Sequence, residues 1–158
     1  MSVENEINQL INQIYTVELV LKTFHARPRK YEGVLLYDSE AHTLEVIAGN
    51  EGISQTQLGE LTFRTKGATS IMVDKLIEKG LICQQRIKSN RRCCALTLTD
   101  LGHAVNQAHM AYDAAHAKMV AESVKIDEAS LHSANQILTC IIDFYTNFPQ
   151  TDRIDENT

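Results

Sequence analysis

The chain has 158 residues, 44% of them hydrophobic, and a formal net charge of -5. That length suits one domain with a real core, and the composition excludes a disordered chain. There is no apolar run of about eighteen residues, which excludes a spanning helix, and the opening MSVENEINQL is too polar and acidic for a signal peptide.

The first element expected is a helix. Val3, Ile7, Leu10, Ile14, Val17, Leu21 and Phe24 follow alternating steps of four and three, an apolar seam of roughly three heptads that needs a long partner. Pro28 and the residue before it favour a break. Asp38 or Ser39 caps the next helix, SEAHTLEVIAGN, whose inward side is Ala41, Leu44, Ile47 and Ala48, and Gly49 and Gly52 stop it. Ser54 caps a short helix, SQTQLGEL, with Leu58 and Leu61 inward. Thr65 caps a third, KGATSIMVDKLIEK, anchored by Val73, Leu76 and Ile77 and ended by Gly80.

LICQQRI and CCALTL are strand candidates around the polar turn KSNRR, which makes a hairpin with a basic tip. Cys94, Leu96 and Leu98 share one face by alternation. Thr99 caps a long helix with Leu101, Val105, Ala108, Tyr112, Ala115 and Met119 as its stripe. A final helix is expected over about 127–148, with Ile137, Ile141, Phe144 and Phe148 in line, and the tail TDRIDENT is expected to be loose.

Charge is unevenly placed. Eight of the fifteen Lys and Arg residues fall between Thr62 and Arg92, against two of the twenty acids. A basic surface on an acidic body is the footprint of a polyanion site; the competing reading is a solvated charged face. Two short helices and a basic hairpin make a mainly α fold with a small β-hairpin wing, the winged helix-turn-helix. Its second helix suits the major groove, and the helix start attracts phosphate. On this reading Lys66, Gly67, Thr69, Ser70 and Ile71 lie near bases, and Arg64 and Lys75 lie near phosphates. Thr65 stands at the helix start. Lys88, Asn90, Arg91 and Arg92 serve the wing, at phosphates or in a minor groove.

LGELTFRTKGATSIMVDKLIEKGLI, followed by SNRRCCALTLTDLG, resembles the multiple antibiotic resistance regulator (MarR) family of bacterial transcription factors. The most specific part is the wing: Arg91-Arg92, Leu96, Leu98-Thr99 and Gly102. The resemblance implies one domain over 1–158. Residues 53–98 form the winged lobe, and 1–30 and 99–148 form long N- and C-terminal dimerisation helices. It implies a homodimer on near-palindromic, double-stranded operator DNA, a repressor rather than an activator, controlled by a small-molecule or metal effector and requiring no cofactor. Two positions depart from the family pattern. Asn90 stands where an Asp usually precedes the arginine pair, and Ile71 stands where a polar or basic residue is common. Ile71 can read a thymine methyl or simply pack.

Three effector chemistries are expected to compete. The first is metal. His109, Asp113 and His116 fall at steps of four and three on one helix face, and His42 can approach it. A zinc-responsive branch of the family looks similar. There His42 and His109 match, Asp113 stands where a His is typical, and Glu40 and His25 are candidate fillers. The second is redox chemistry at Cys93, beside Arg91 and Arg92, with Cys94 in the core. The third is an organic ligand lined by Tyr15, Tyr37, His42 and Tyr112, with Arg27 or Arg29 at its mouth. Cys83, Cys93, Cys94 and Cys140 show no CxxC spacing and are read as thiols of a cytoplasmic protein. No GxSxG, HExxH, P-loop or GxGxxG occurs, so an enzyme is not expected. The alternatives are a winged protein-interaction module, or a metal or redox sensor without base readout. No membrane partner is expected.

Overall fold

The structure, a computed structural model, describes residues 2–87 and 90–147, with backbone alone for the described part of 86–93. Helix α1 (Val3–Phe24) starts at Ser2, whose hydroxyl accepts from the Asn5 N–H. Strands β1 (Arg29–Tyr31) and β2 (Val34–Leu36) then form a small antiparallel hairpin. Glu32 and Gly33 join them with φ of 45° and 86°. Two successive positive φ values are the signature of the two-residue turn that matches strand twist. Only a break at Pro28 was expected here.

Helix α2 (Asp38–Gly49) begins one residue earlier than the sequence suggests, with Tyr37 at the N-cap. The Tyr37 backbone N–H donates to the Glu40 carboxylate at 2.8 Å. Glu40 is buried, and Lys79 Nζ reaches it at 2.7 Å while also donating to the Leu35 carbonyl. This pair ties the start of α2 to β2 and to the residue that ends α4. A buried carboxylate stripped of such a partner costs several kcal/mol, about 3–5. Lys79 therefore belongs to the fold rather than to a basic surface.

Helix α3 (Gln55–Leu61) opens with a capping box, in which the Ser54 hydroxyl accepts from the Gln57 N–H and the Gln57 amide accepts from the Ser54 N–H. Helix α4 (Lys66–Glu78) opens on Thr65, whose hydroxyl accepts from the Ala68 N–H. It ends where the Gly80 N–H bonds to the Ile77 carbonyl and the Leu81 N–H to the Leu76 carbonyl. That crossed pair requires a left-handed residue, and Gly80 has φ of 71°.

Strands β3 (Ile82–Ile87) and β4 (Asn90–Leu98) form the second hairpin, in register from Ile82 opposite Leu98 to Arg86 opposite Cys94. Ile53 adds one bridge to Leu96, which fastens the entry to α3 onto the hairpin. Thr99 then starts helix α5 (Asp100–Val124), accepting the Gly102 N–H on its hydroxyl and the His103 N–H on its carbonyl. Helix α6 (Glu128–Asn147) follows, and the Asp127 carboxylate accepts from the Ser130 N–H at its start.

The chain divides into two compact units, Met1–Asp113 and Ala114–Thr158. In the first, Leu36, Leu44, Ile47, Leu58, Val73, Leu76, Leu81, Leu96 and Val105 close one apolar core. Leu61 and Ile77, expected inward, are 53% and 37% exposed. Leu61 is the last residue of α3, and Ile77 is turned away from the side of α4 that packs through Thr69, Val73 and Leu76. The buried side of α5 is Gly102, Val105, Asn106 and His109. It is rotated from the expected stripe, and Leu101 faces outward. No residue of α1 is buried, and its seam from Val3 to Phe24 is open to solvent. In the second unit, Ile137, Ile142 and Phe144 of α6 are likewise exposed. Among the described residues no helix is long and apolar enough to cross a membrane.

Candidate nucleic-acid interface and a histidine–carboxylate cluster

The crossing of α3 and α4 is set by a glycine. A Cβ on Gly59 would sit 3.0 Å from Thr69 Oγ1. Thr69 is buried at this contact, and its hydroxyl bonds back to the Thr65 carbonyl. The expectation that Thr69 reaches bases is therefore corrected: it is the floor of the helix crossing. Lys66, Gly67, Ile71 and Lys75 lie on the exposed side of α4, with Ser70 half-buried at its edge. Nothing stands within 4 Å of a Cβ built on Gly67, so the helix start is open to close approach. Ile71 is 60% exposed, which suits a surface reader better than a packing residue.

Arg64 is the second correction. It was expected at a phosphate. Its guanidinium instead turns onto α2, donating to Thr43 Oγ1 at 2.7 Å and to the Ser39 carbonyl at 3.4 Å. Lys88 lies outside the described residues, as do the side chains of Asn90, Arg91, Arg92 and Cys93. Cys94 is half-buried.

A different constellation lies between α2 and the first half of α5. His42 Nδ1 stands 3.4 Å from Glu45 Oε2. His109 Nε2 stands 3.5 Å from Asp113 Oδ2 and 3.9 Å from the same Glu45 oxygen. One ligand atom from each of His42, Glu45, His109 and Asp113 lies within 4.8 Å of the others. His109 is 2% exposed, yet neither ring nitrogen has a hydrogen-bond partner among the described residues. A buried imidazole left so is costly unless an ion or water completes it. His42 packs edge-on to it at 5.1 Å, and Tyr31 does so at 5.5 Å. Burial pushes the Tyr31 hydroxyl above its ordinary pKa.

Two nitrogens and two carboxylates suit zinc. A tetrahedral ion with ligands at about 2.1 Å spaces neighbouring ligand atoms about 3.4 Å apart. The expected set is corrected at three places. His116 is not in the cluster. Glu40 is taken by Lys79, and His25 bonds Asp38 at 2.6 Å. Glu45 was missed, although its step of three from His42 was a usable signal.

Of the five residues expected around an organic ligand, Tyr37 is the one that lines the cleft beside α1, of about 380 Å³, with Leu21, His25 and Asp38. Tyr15 and Arg27 are exposed and are not among its walls. His42 belongs to the histidine cluster, and Tyr112 lies under the Arg29 guanidinium at 4.6 Å. Arg29 also pairs with Asp38 at 2.6 Å, so it, and not Arg27, is the organised cation of this region.

Comparison with known proteins adds to this geometry. A family model described as MarR family matches residues 36–92. No curated protein matches the chain. Among solved structures, the chain is similar to the transcriptional regulator BldR of Sulfolobus solfataricus, at 26% identity and a TM-score of 0.66, over 88% of this chain and 99% of that one. It is similar to FabT of Streptococcus pneumoniae, solved in complex with DNA, at 22% identity and 0.68, over 92% and 99%. It is also similar to ZitR of Lactococcus lactis, a zinc-responsive MarR family member, at 20% identity and 0.57, over 86% and 99%. Helices with a two-stranded antiparallel wing are common to the fold.

Proposed function

We propose that the chain, whose residues 36–92 match a MarR-family model, is a sequence-specific DNA-binding transcription regulator. The observation that carries this reading is the open N-terminal face of α4. Lys66, Gly67 and Ile71 stand exposed there with Ser70 at the edge, on a helix that Thr65 caps and Gly59 seats, and Lys75 adds an exposed cation in its last turn. The DNA-bound neighbours support it. The protein acts as a homodimer on a near-palindromic operator and represses by covering a promoter. Support for self-association comes from the exposed seams of α1 and α6, since apolar surface on this scale marks an interface. The DNA partner is tested by fluorescence anisotropy with a duplex across a salt series. Binding is expected to weaken steeply, by about 0.9 in log–log slope per phosphate contacted. Binding insensitive to salt would point to a protein-interaction module.

The effector reading that the geometry favours is a divalent transition metal, zinc first, held by His42, Glu45, His109 and Asp113. The two carboxylates match the charge of the ion, and the orphaned His109 nitrogens fit a ligand. Bound zinc would supply a charged crosslink between α2 and α5. Competition with a chromophoric chelator should show about one zinc per chain. Asp113→Asn should weaken it by tenfold or more, at least the scale of loss seen for outer-shell partners, and zinc should change the affinity for DNA. Zinc content far below one per chain, with DNA affinity unmoved, would end this reading and return attention to the cleft beside Tyr37.

A further inference from the structure

The cation that precedes the recognition helix does not point at solvent. Arg64 sits one residue before the Thr65 cap, and its backbone N–H bonds to the Gly59 carbonyl at 2.9 Å. Phe63, just before it, holds φ of 52°, so the turn is bent into a conformation that side chains rarely adopt. The guanidinium reaches across to Thr43, which is 1% exposed. The Thr43 hydroxyl donates its own proton to the Ser39 carbonyl at 2.6 Å, and accepts from Arg64 at 2.7 Å. Both capacities of a buried hydroxyl are thereby used on one clamp. Without Arg64, that oxygen has no donor among the described residues. A buried acceptor left unpaired costs more than a surface contact is worth.

The other end of the clamp matters as much. Thr43 neighbours His42 on α2, and Glu45 lies two residues on. The same twelve-residue helix thus holds the histidine cluster on one side and the start of α4 on another. We infer that Arg64 is a positioning residue. Through Thr43 it fixes the N-terminus of the DNA-reading helix to α2, so that a displacement of α2 is passed to α4. It does this without itself holding a phosphate. The inference rests on the proposal that α4 reads DNA.

The test compares wild type with Arg64→Met, Thr43→Val, Thr43→Ser and the Arg64→Met/Thr43→Val double variant. Each is titrated with one duplex over a salt series, below its measured unfolding midpoint. Arg64→Met and Thr43→Val should each weaken binding by roughly tenfold or more, the scale of a hydrogen bond to a charged group. The double variant should be little worse than either, because both remove one contact. Thr43→Ser, which keeps the hydroxyl, should bind as wild type. The salt slope should stay at the wild-type value in all of them. A slope reduced by about one phosphate in Arg64→Met, with Thr43→Val binding normally, would overturn the inference and put Arg64 on the DNA. Lowered unfolding midpoints with unchanged affinity would overturn it too, and leave a purely structural clamp. A wild-type protein that binds no duplex would instead sink the DNA reading, and the inference with it.

Discussion

Gly102→Ala should lower the unfolding midpoint by roughly 6–10 °C, the shift expected for about 2–3 kcal/mol of overpacking in a domain of this size. A Cβ at this position would sit 2.0 Å from the Leu81 carbonyl oxygen and 3.3 Å from Leu98 Cγ. Neither neighbour is free to give way. The Leu81 oxygen already accepts from the Thr99 N–H and lies 3.2 Å from its hydroxyl. Leu98 is paired with Ile82 in the wing. The substitution therefore pushes α5 away from the end of α4 and from the base of the hairpin together. Gly67→Ala is the control, because nothing stands near its Cβ. It should melt at or above the wild-type temperature, since alanine favours a helix by up to about 1 kcal/mol. Thermal circular dichroism of both variants decides the matter. A Gly102→Ala protein that melts with wild type would mean that this contact is looser than it stands.

The second large effect is expected in the wing. Arg91→Ala combined with Arg92→Ala should weaken DNA binding sharply and lower the salt slope by up to roughly two phosphate contacts. Both residues lie early in β4, within the segment that carries Lys88, and Thr62 to Arg92 holds most of the chain's cations. Lys79 and Arg64 are engaged inside the fold, which leaves Lys66 and Lys75 on α4 and the wing to meet a polyanion. The same salt-series titration measures it. An unchanged slope would take the wing off the DNA.

Much of the fold could be read locally. Ser54, Thr65 and Thr99 each stand immediately before a helical stretch, and each caps it. Gly80 ends α4 with the positive φ that its position implied. What failed was non-local. The buried side of α5 is set by the close pass of Gly102 over Leu81, which rotates the helix away from its apparent stripe. The β1–β2 hairpin has only three residues per strand, and the nearby Pro28 signal masked it. Its Glu-Gly turn between Tyr31 and Val34 was nonetheless a readable cue.

The site divides in the same way. The exposed face of α4 followed from helical geometry alone. Thr69 and Arg64 were misplaced because their partners, Gly59 and Thr43, come from other helices, and no local pattern announces such contacts. His109 and Asp113 follow from spacing along α5, which reports one helix at a time and also picked out His116, while His42 on α2 followed from the family resemblance. Glu45 completes the cluster from α2 through its oxygen near His109, a contact that only the fold creates.

On the proposed function, the exposed face of α4 reads operator DNA. Selection of bound duplexes from a random pool, run in parallel with chelator and with zinc, tests it most directly. An enriched inverted repeat with half-sites about 10 base pairs apart is the predicted result. Enrichment in only one arm would also assign the histidine cluster to control. A pool that stays random in both arms, with folded and dimeric protein, would mean that the α4 face does not read DNA sequence.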